Sequence, residues 1–193
     1  MILPCCYLAP VSHYSAFYRA DEVRLEVCDH FSKQTLRNRC VIAGPDGPLP
    51  LTIPLVKPQN PHCPISEIRI SDHGNWRHLH WNALKSAYGQ SPFFEYYEED
   101  FRPFYEPDWE FLVDYNLDLL QCVCQLIDIQ SSLRVTETYQ ASPSDVKDLR
   151  FPAVFPYRPT PYYQVFSQRE GFLPDLSIVD MLFCLGPESI LYL

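Results

Sequence analysis

Two apolar runs, Cys40 to Ala43 and Leu49 to Leu55, are separated by Gly44-Pro45-Asp46-Gly47. Proline pre-sets the first turn angle, aspartate tolerates the second position and glycine takes the left-handed one, so the two runs must double back as a β-hairpin. Pro50 and Pro54 have no N–H to give to a ladder, which places the second strand at an edge or pairs it on one side only.

Upstream, residues 2 to 9 (ILPCCYLA) read as a short buried strand closed by Pro10. Ser12 is placed to cap a short helix carrying Tyr14, Phe17 and Tyr18, and Val23 to Val27 alternates as a half-buried strand does. Together these form a strand-helix-strand unit with a parallel pair of strands. Ile65 to Ile70 alternates and adds a further strand.

Beyond Asn75 the period changes to that of helices. Trp76, Leu79, His80, Ala83, Leu84, Ala87 and Tyr88 make one stripe. Pro92 to Phe101 makes a second helix, with Glu98 placed to pair with Arg102, and Asp108 opens a third that runs to about Ile129. Arg134 to Thr138 reads as a strand and Ser144 to Leu149 as a helical turn. Residues 152–161 are too rich in proline for a helix, and Leu176 to Leu185 forms a last helix stopped by Gly186-Pro187. The expected fold is mixed α/β (α+β), a single domain over 1–193. It has an N-terminal strand-helix-strand unit, a β-hairpin and a helix-rich second half.

A net charge of -9 argues against a nucleic-acid surface, which needs a basic face to neutralise phosphates. No apolar run reaches the roughly 18 to 20 residues that span a bilayer, and the N-terminus lacks the basic flank of a secretory signal. Both point to the cytoplasm. There the eight cysteines are expected to be reduced, and the absence of a C-x-x-C pair argues against structural zinc.

In so acidic a chain, the segment KQTLRNR stands out as a local anion site. Lys33 and Arg37 would share a helical face and Arg39 would project from the following strand, so that the three clamp a phosphate or carboxylate. The alternative is a solvated basic turn paired with carboxylates. His80 lies on an apolar stripe, where a hydrogen-bonded core histidine is the ordinary reading and proton transfer the functional one. His13, at the first turn after a strand, falls where ligands often meet α/β proteins. Asp180, three residues after Ser177, reads as part of a helix cap. No glycine-rich phosphate loop, nucleophile elbow or zinc-binding helix motif occurs.

The ordered succession YLAP, KQTLRNRCVI, LTIPL, SAYGQSPFFEYY and LSIVDMLF resembles the WbqC-like proteins across nearly the whole chain. That resemblance implies a role in bacterial surface polysaccharide and O-antigen synthesis, with transfer of an amino acid or similar acyl group to a sugar. It places Lys33, Asn38 and Arg39 on the family's basic segment and Tyr7 and Pro10 on its opening motif. Many members have Gln-Pro before that tyrosine, where this chain has Cys5 and Cys6. The expected ligand is a small anionic molecule such as a nucleotide sugar, bound by Arg37, Asn38, Arg39 and Tyr7. Tyr88 and Tyr96 are expected to offer it a sugar-binding surface, with Lys33, His80 and His13 as the groups for chemistry. A binding or scaffolding component, or a nucleotidyl-type transferase, are the other readings. The sequence names neither a metal, a cofactor nor an oligomeric state.

Overall fold

Strand β1 (Ile2–Pro4), helix α1 (Val11–Tyr18) and strand β2 (Glu22–Glu26) open the chain. The structure is a computed structural model and describes residues 1–60, 62–107, 109–130, 132–139, 141, 146–150 and 155–193. β1 and β2 are parallel, with Pro4 opposite Glu26. β5 (Ser132–Val135) joins the far side of β2, also parallel, giving the order β1-β2-β5. On the other side of β1, Ile2 donates its N–H to Lys147 and accepts from Leu149, bringing residues 147–149 alongside. All three strands therefore end on one side of the sheet, and the residues just after them share a rim.

Helix α1 is too short to be stable alone and is buried from Val11 to Phe17, so it runs through the core rather than over it. Ser12 does not cap it. Asp175, from the far end of the chain, accepts both the Ser12 N–H and its hydroxyl, each at 2.8 Å. A carboxylate from a distant segment thus supplies what local sequence was expected to supply.

The hairpin forms as expected from β3 (Arg39–Gly44) and β4 (Gly47–Thr52), antiparallel, with Gly47 at φ +102°. Among the described residues β4 pairs with β3 alone, leaving its prolines on an open edge. Arg169, on the short helix α5 (Ser167–Glu170), binds Asp46 at 2.7 Å and pins the turn.

Residues 65–70 are not a strand. Ile65–Glu67 make a 3-10 turn, after which Arg69 bridges Phe111 and Ile70 bridges Leu55. The same pairing shortens the long helix α4 to Leu112–Leu126, because the Glu110 carbonyl is taken by Ile70 N–H and the Leu112 N–H by the Ile68 carbonyl. Asp108, expected as its cap, lies outside the described residues, as do residues 144, 145 and 152–154 of the two later segments.

Helix α2 (Trp76–Tyr88) buries Trp76, His80, Leu84, Ala87 and Tyr88, but Leu79 faces solvent and Arg77 takes its place inside. Helix α3 (Phe94–Phe101) buries its first and last phenylalanines, and its Glu98 pairs with Lys85 of α2 at 2.9 Å rather than with Arg102. Helix α6 (Ile178–Leu185) is buried from Ile178 to Cys184. Gly186, at φ +60°, ends it against the Phe93 ring. One apolar core extends from Leu3 to Leu193. No helix among the described residues is long and apolar enough to cross a membrane.

Candidate functional site

Residues after the carboxyl ends of β1 and β2 converge with the basic segment on a cavity of about 470 Å³. Its wall includes Pro4, Cys6, Thr35, Arg37, Arg39 and Arg150. Crevices at this end of parallel strands are where α/β proteins usually take ligands.

The basic segment is a series of turns, not a helix. Lys33 and Arg37 consequently do not share a face. Arg37 turns inward, 3% exposed, and donates to Asp29, which is buried beside it. The Arg37 carbonyl accepts from Asn116 Nδ2 at 2.8 Å, so the backbone as well as the guanidinium is fixed. Burial pushes the Asp29 carboxyl up, and the adjacent Arg37 charge pulls it back. Arg39 starts β3 and is exposed; among the described residues it forms no ion pair. Between them, Asn38 donates its amide to the Ile53 carbonyl at 2.9 Å, a hairpin contact. Lys33 is exposed and lines a different depression of about 290 Å³ with Phe31, Lys57 and Cys63.

Arg150 is the site residue that sequence reasoning missed. It is almost wholly buried and reaches Glu26 Oε2 at 2.8 Å, while Asp148 grips it through Nε at 2.9 Å and a terminal nitrogen at 2.6 Å. Hydrogen bonding to Arg150 holds the Asp148 carboxyl below its ordinary range. Glu26 Oε1 also accepts from Cys28 N–H and the Thr136 hydroxyl, each at 2.8 Å. A glutamate at the end of a strand that buries its neighbours was the available signal, since such a charge must find a partner. The partner lay too far along the chain to identify.

The histidines sit elsewhere. His13 is buried within α1, its Nε2 donating to the Pro4 carbonyl at 3.0 Å and its Nδ1 without a hydrogen-bond partner among the described residues. Pro4 thus separates His13 from the cavity. His80 is buried on α2, with Nδ1 bound to the Tyr7 hydroxyl at 3.0 Å, and that hydroxyl lies 3.2 Å from the Tyr105 hydroxyl. Burial lowers each imidazole to about 4, only partly offset by hydrogen bonds to the carbonyls of Pro4 and Thr52 respectively. Both are neutral at physiological pH.

Tyr88 is fully buried: its hydroxyl donates to Asp180 at 2.9 Å and accepts from Ala43 N–H at 3.0 Å. Tyr96 is 77% exposed beside Phe93, and neither tyrosine is part of the cavity wall. Asp180 also accepts from Tyr162 and Gln164, which makes it a junction of the core rather than a helix cap. Cys6 contributes to the cavity wall, but burial pushes its thiol up to about 12, and all eight cysteines are free. A thiol so protonated is a wall, not a nucleophile.

A family model of the WbqC-like protein family matches residues 6–151, and the chain belongs to that family. The matched span includes the basic segment, both buried histidines and Arg150, and stops before α6. No curated protein and no solved structure matches the chain.

Proposed function

We propose that this member of the WbqC-like family is a cytoplasmic enzyme of bacterial surface polysaccharide synthesis. It takes an anionic nucleotide- or lipid-linked sugar into the cavity beyond β1 and β2 and transfers an amino acid or acyl group to an amino sugar. One observation carries the reading: Arg37, Arg39 and Arg150 meet on one cavity wall, of a size that suits a small molecule. Among the described residues of that wall, Arg39 is the cation outside an ion pair, and it meets the ligand's anion. Arg37 and Arg150 are held by Asp29, Glu26 and Asp148, so that part of the wall is fixed before any ligand arrives. Those three carboxylates outweigh the two guanidinium charges, so the site's attraction for an anion rests on Arg39.

A second reading has its own support. His13 and His80 are neutral and enclosed, and neither lines the cavity, as expected of a protein that binds the sugar carrier without reacting with it. Incubating the protein with an aminoacylated donor and an amino sugar separates the two, because only the enzyme yields the amide.

The anion site itself is tested by a thermal-shift screen against nucleotide sugars, aminoacyl donors and polyphosphates, run on the native protein and Arg39→Ala. A ligand that binds the folded state alone raises the melting temperature by mass action. At least one anionic class should do so, with the shift much reduced in the variant. No shift in any class, or equal shifts in both proteins, would overturn the assignment.

A further inference from the structure

We infer that the chain carries a second ligand site, for a monosaccharide ring, in the cleft at the start of α2. This site shares no wall residue with the anion cavity and stands without the proposal made for it. The cleft has a volume of about 400 Å³, and Asp72, Asn75, Trp76, Arg77, Trp81 and Tyr105 contribute to its wall.

Its aromatic side is closely packed. Trp76 packs edge-on to His80 and Tyr115, and Trp81 lies 5.4 Å from the Tyr105 ring and 6.0 Å from Phe94. Its polar side is incomplete. The indole N–H of Trp76 and the Nε–H of Arg77 are buried with no acceptor among the described residues, and buried donors in folded proteins normally have one. The rest of the Arg77 guanidinium is committed: it donates to Asp72 and to the Trp109 carbonyl and lies 4.8 Å over the Trp76 ring. At the rim, Asn75 sits at φ +47° and its side chain caps no amide of α2. The Asp72 carboxylate is exposed.

A pyranose satisfies all of this at once. Its C–H face packs on the Trp81 indole, the Trp76 ring face being taken by Arg77; its oxygens accept from the two orphaned N–H groups once Trp76 and Arg77 shift to uncover them, and its hydroxyls donate to Asp72 and Asn75. A cationic ligand is disfavoured, because Arg77 already occupies the ring face a cation would seek. A flat nucleobase could stack but lacks the ring of hydroxyls that the rim would bind.

The chain's three tryptophans are Trp76, Trp81 and Trp109, so their indole N–H signals in a ¹H–¹⁵N spectrum report on this region directly. Glucose, N-acetylglucosamine and glucuronate are titrated into the labelled native protein, with adenosine and uridine in parallel. At least one sugar should move the Trp76 signal downfield and shift that of Trp81, saturably. Arg77→Lys, which removes Nε–H but keeps the charge, should weaken binding about tenfold, while Arg39→Ala leaves it unchanged. Indole signals unmoved by every sugar, or moved by the nucleosides alone, would overturn the inference. The titration of the native protein decides this even if the Lys variant folds poorly.

Discussion

His13 shows how a residue can occupy a suggestive position and still serve the fold. Its place after a strand and before a buried helix is legible in the sequence, but not which way its ring points. The side chain turns back to the Pro4 carbonyl and is held neutral, with burial lowering its pKa from 6.5 to about 4. Between those values the unfolded chain binds a proton that the folded chain refuses. The histidine's contribution is therefore fully present above the unfolded value and is lost as pH falls toward the folded one. The span corresponds to about 3 kcal/mol. Asp29, Asp175 and Asp180, whose carboxyls are pushed up by burial, act with the opposite sign at the acid end. The comparison must therefore be internal. Urea unfolding at about pH 6.5 and 4.5 should show the native protein losing about 2 kcal/mol more than His13→Gln, whose amide keeps the Pro4 bond and never titrates. Equal losses would mean that His13 is charged or solvated in the folded state. Arg150 makes the complementary point. Its burial depends on Glu26, more than a hundred positions away in the chain, and no local pattern encodes such a distance.

Elements were readable where their determinants are local. The hairpin, α2, α3 and α6 appear near their expected places, because turn chemistry and apolar spacing lie within each segment. The failures share one cause. Residues 65–70 and the start of α4 follow each other's backbone groups instead of their own periodicity, and tertiary pairing overrides weak propensity. Two glycines test the local determinants separately. At Gly47 (φ +102°) an added Cβ would meet only Glu170 Oε2, at an ordinary 3.6 Å, so the cost of Gly47→Ala is backbone strain alone, about 1–2 kcal/mol. At Gly186 (φ +60°) the Cβ would come within 2.5 Å of the Phe93 ring, adding a clash to the strain. Gly186→Ala should accordingly cost about 3 kcal/mol or more in urea unfolding. The reverse ranking would place the strain in the wrong turn.

Across the whole molecule, residues beyond the span matched to the family are integral to the core. Asp180 joins α6 to α2 through Tyr88 and to the C-terminal extended segment through Tyr162 and Gln164. Asp180→Asn leaves one oxygen where two served three donors, and should lower unfolding free energy by about 2–4 kcal/mol. A change under about 0.5 kcal/mol would show that the junction does not bear on stability. The same wide-ranging connections build the candidate site, where the rims of β1 and β2, the turns before β3 and the segment leading to Arg150 come together. Its most direct test is equilibrium binding of one anionic sugar nucleotide to the native protein, Arg39→Ala and Lys33→Ala at fixed salt. A charge-assisted hydrogen bond at Arg39 predicts affinity weakened roughly 10- to 100-fold in the first variant. Lys33→Ala should differ from native by less than about threefold, since Lys33 lines a separate depression. Native affinity in Arg39→Ala, or an equal loss in both variants, would contradict an anion site in this cavity.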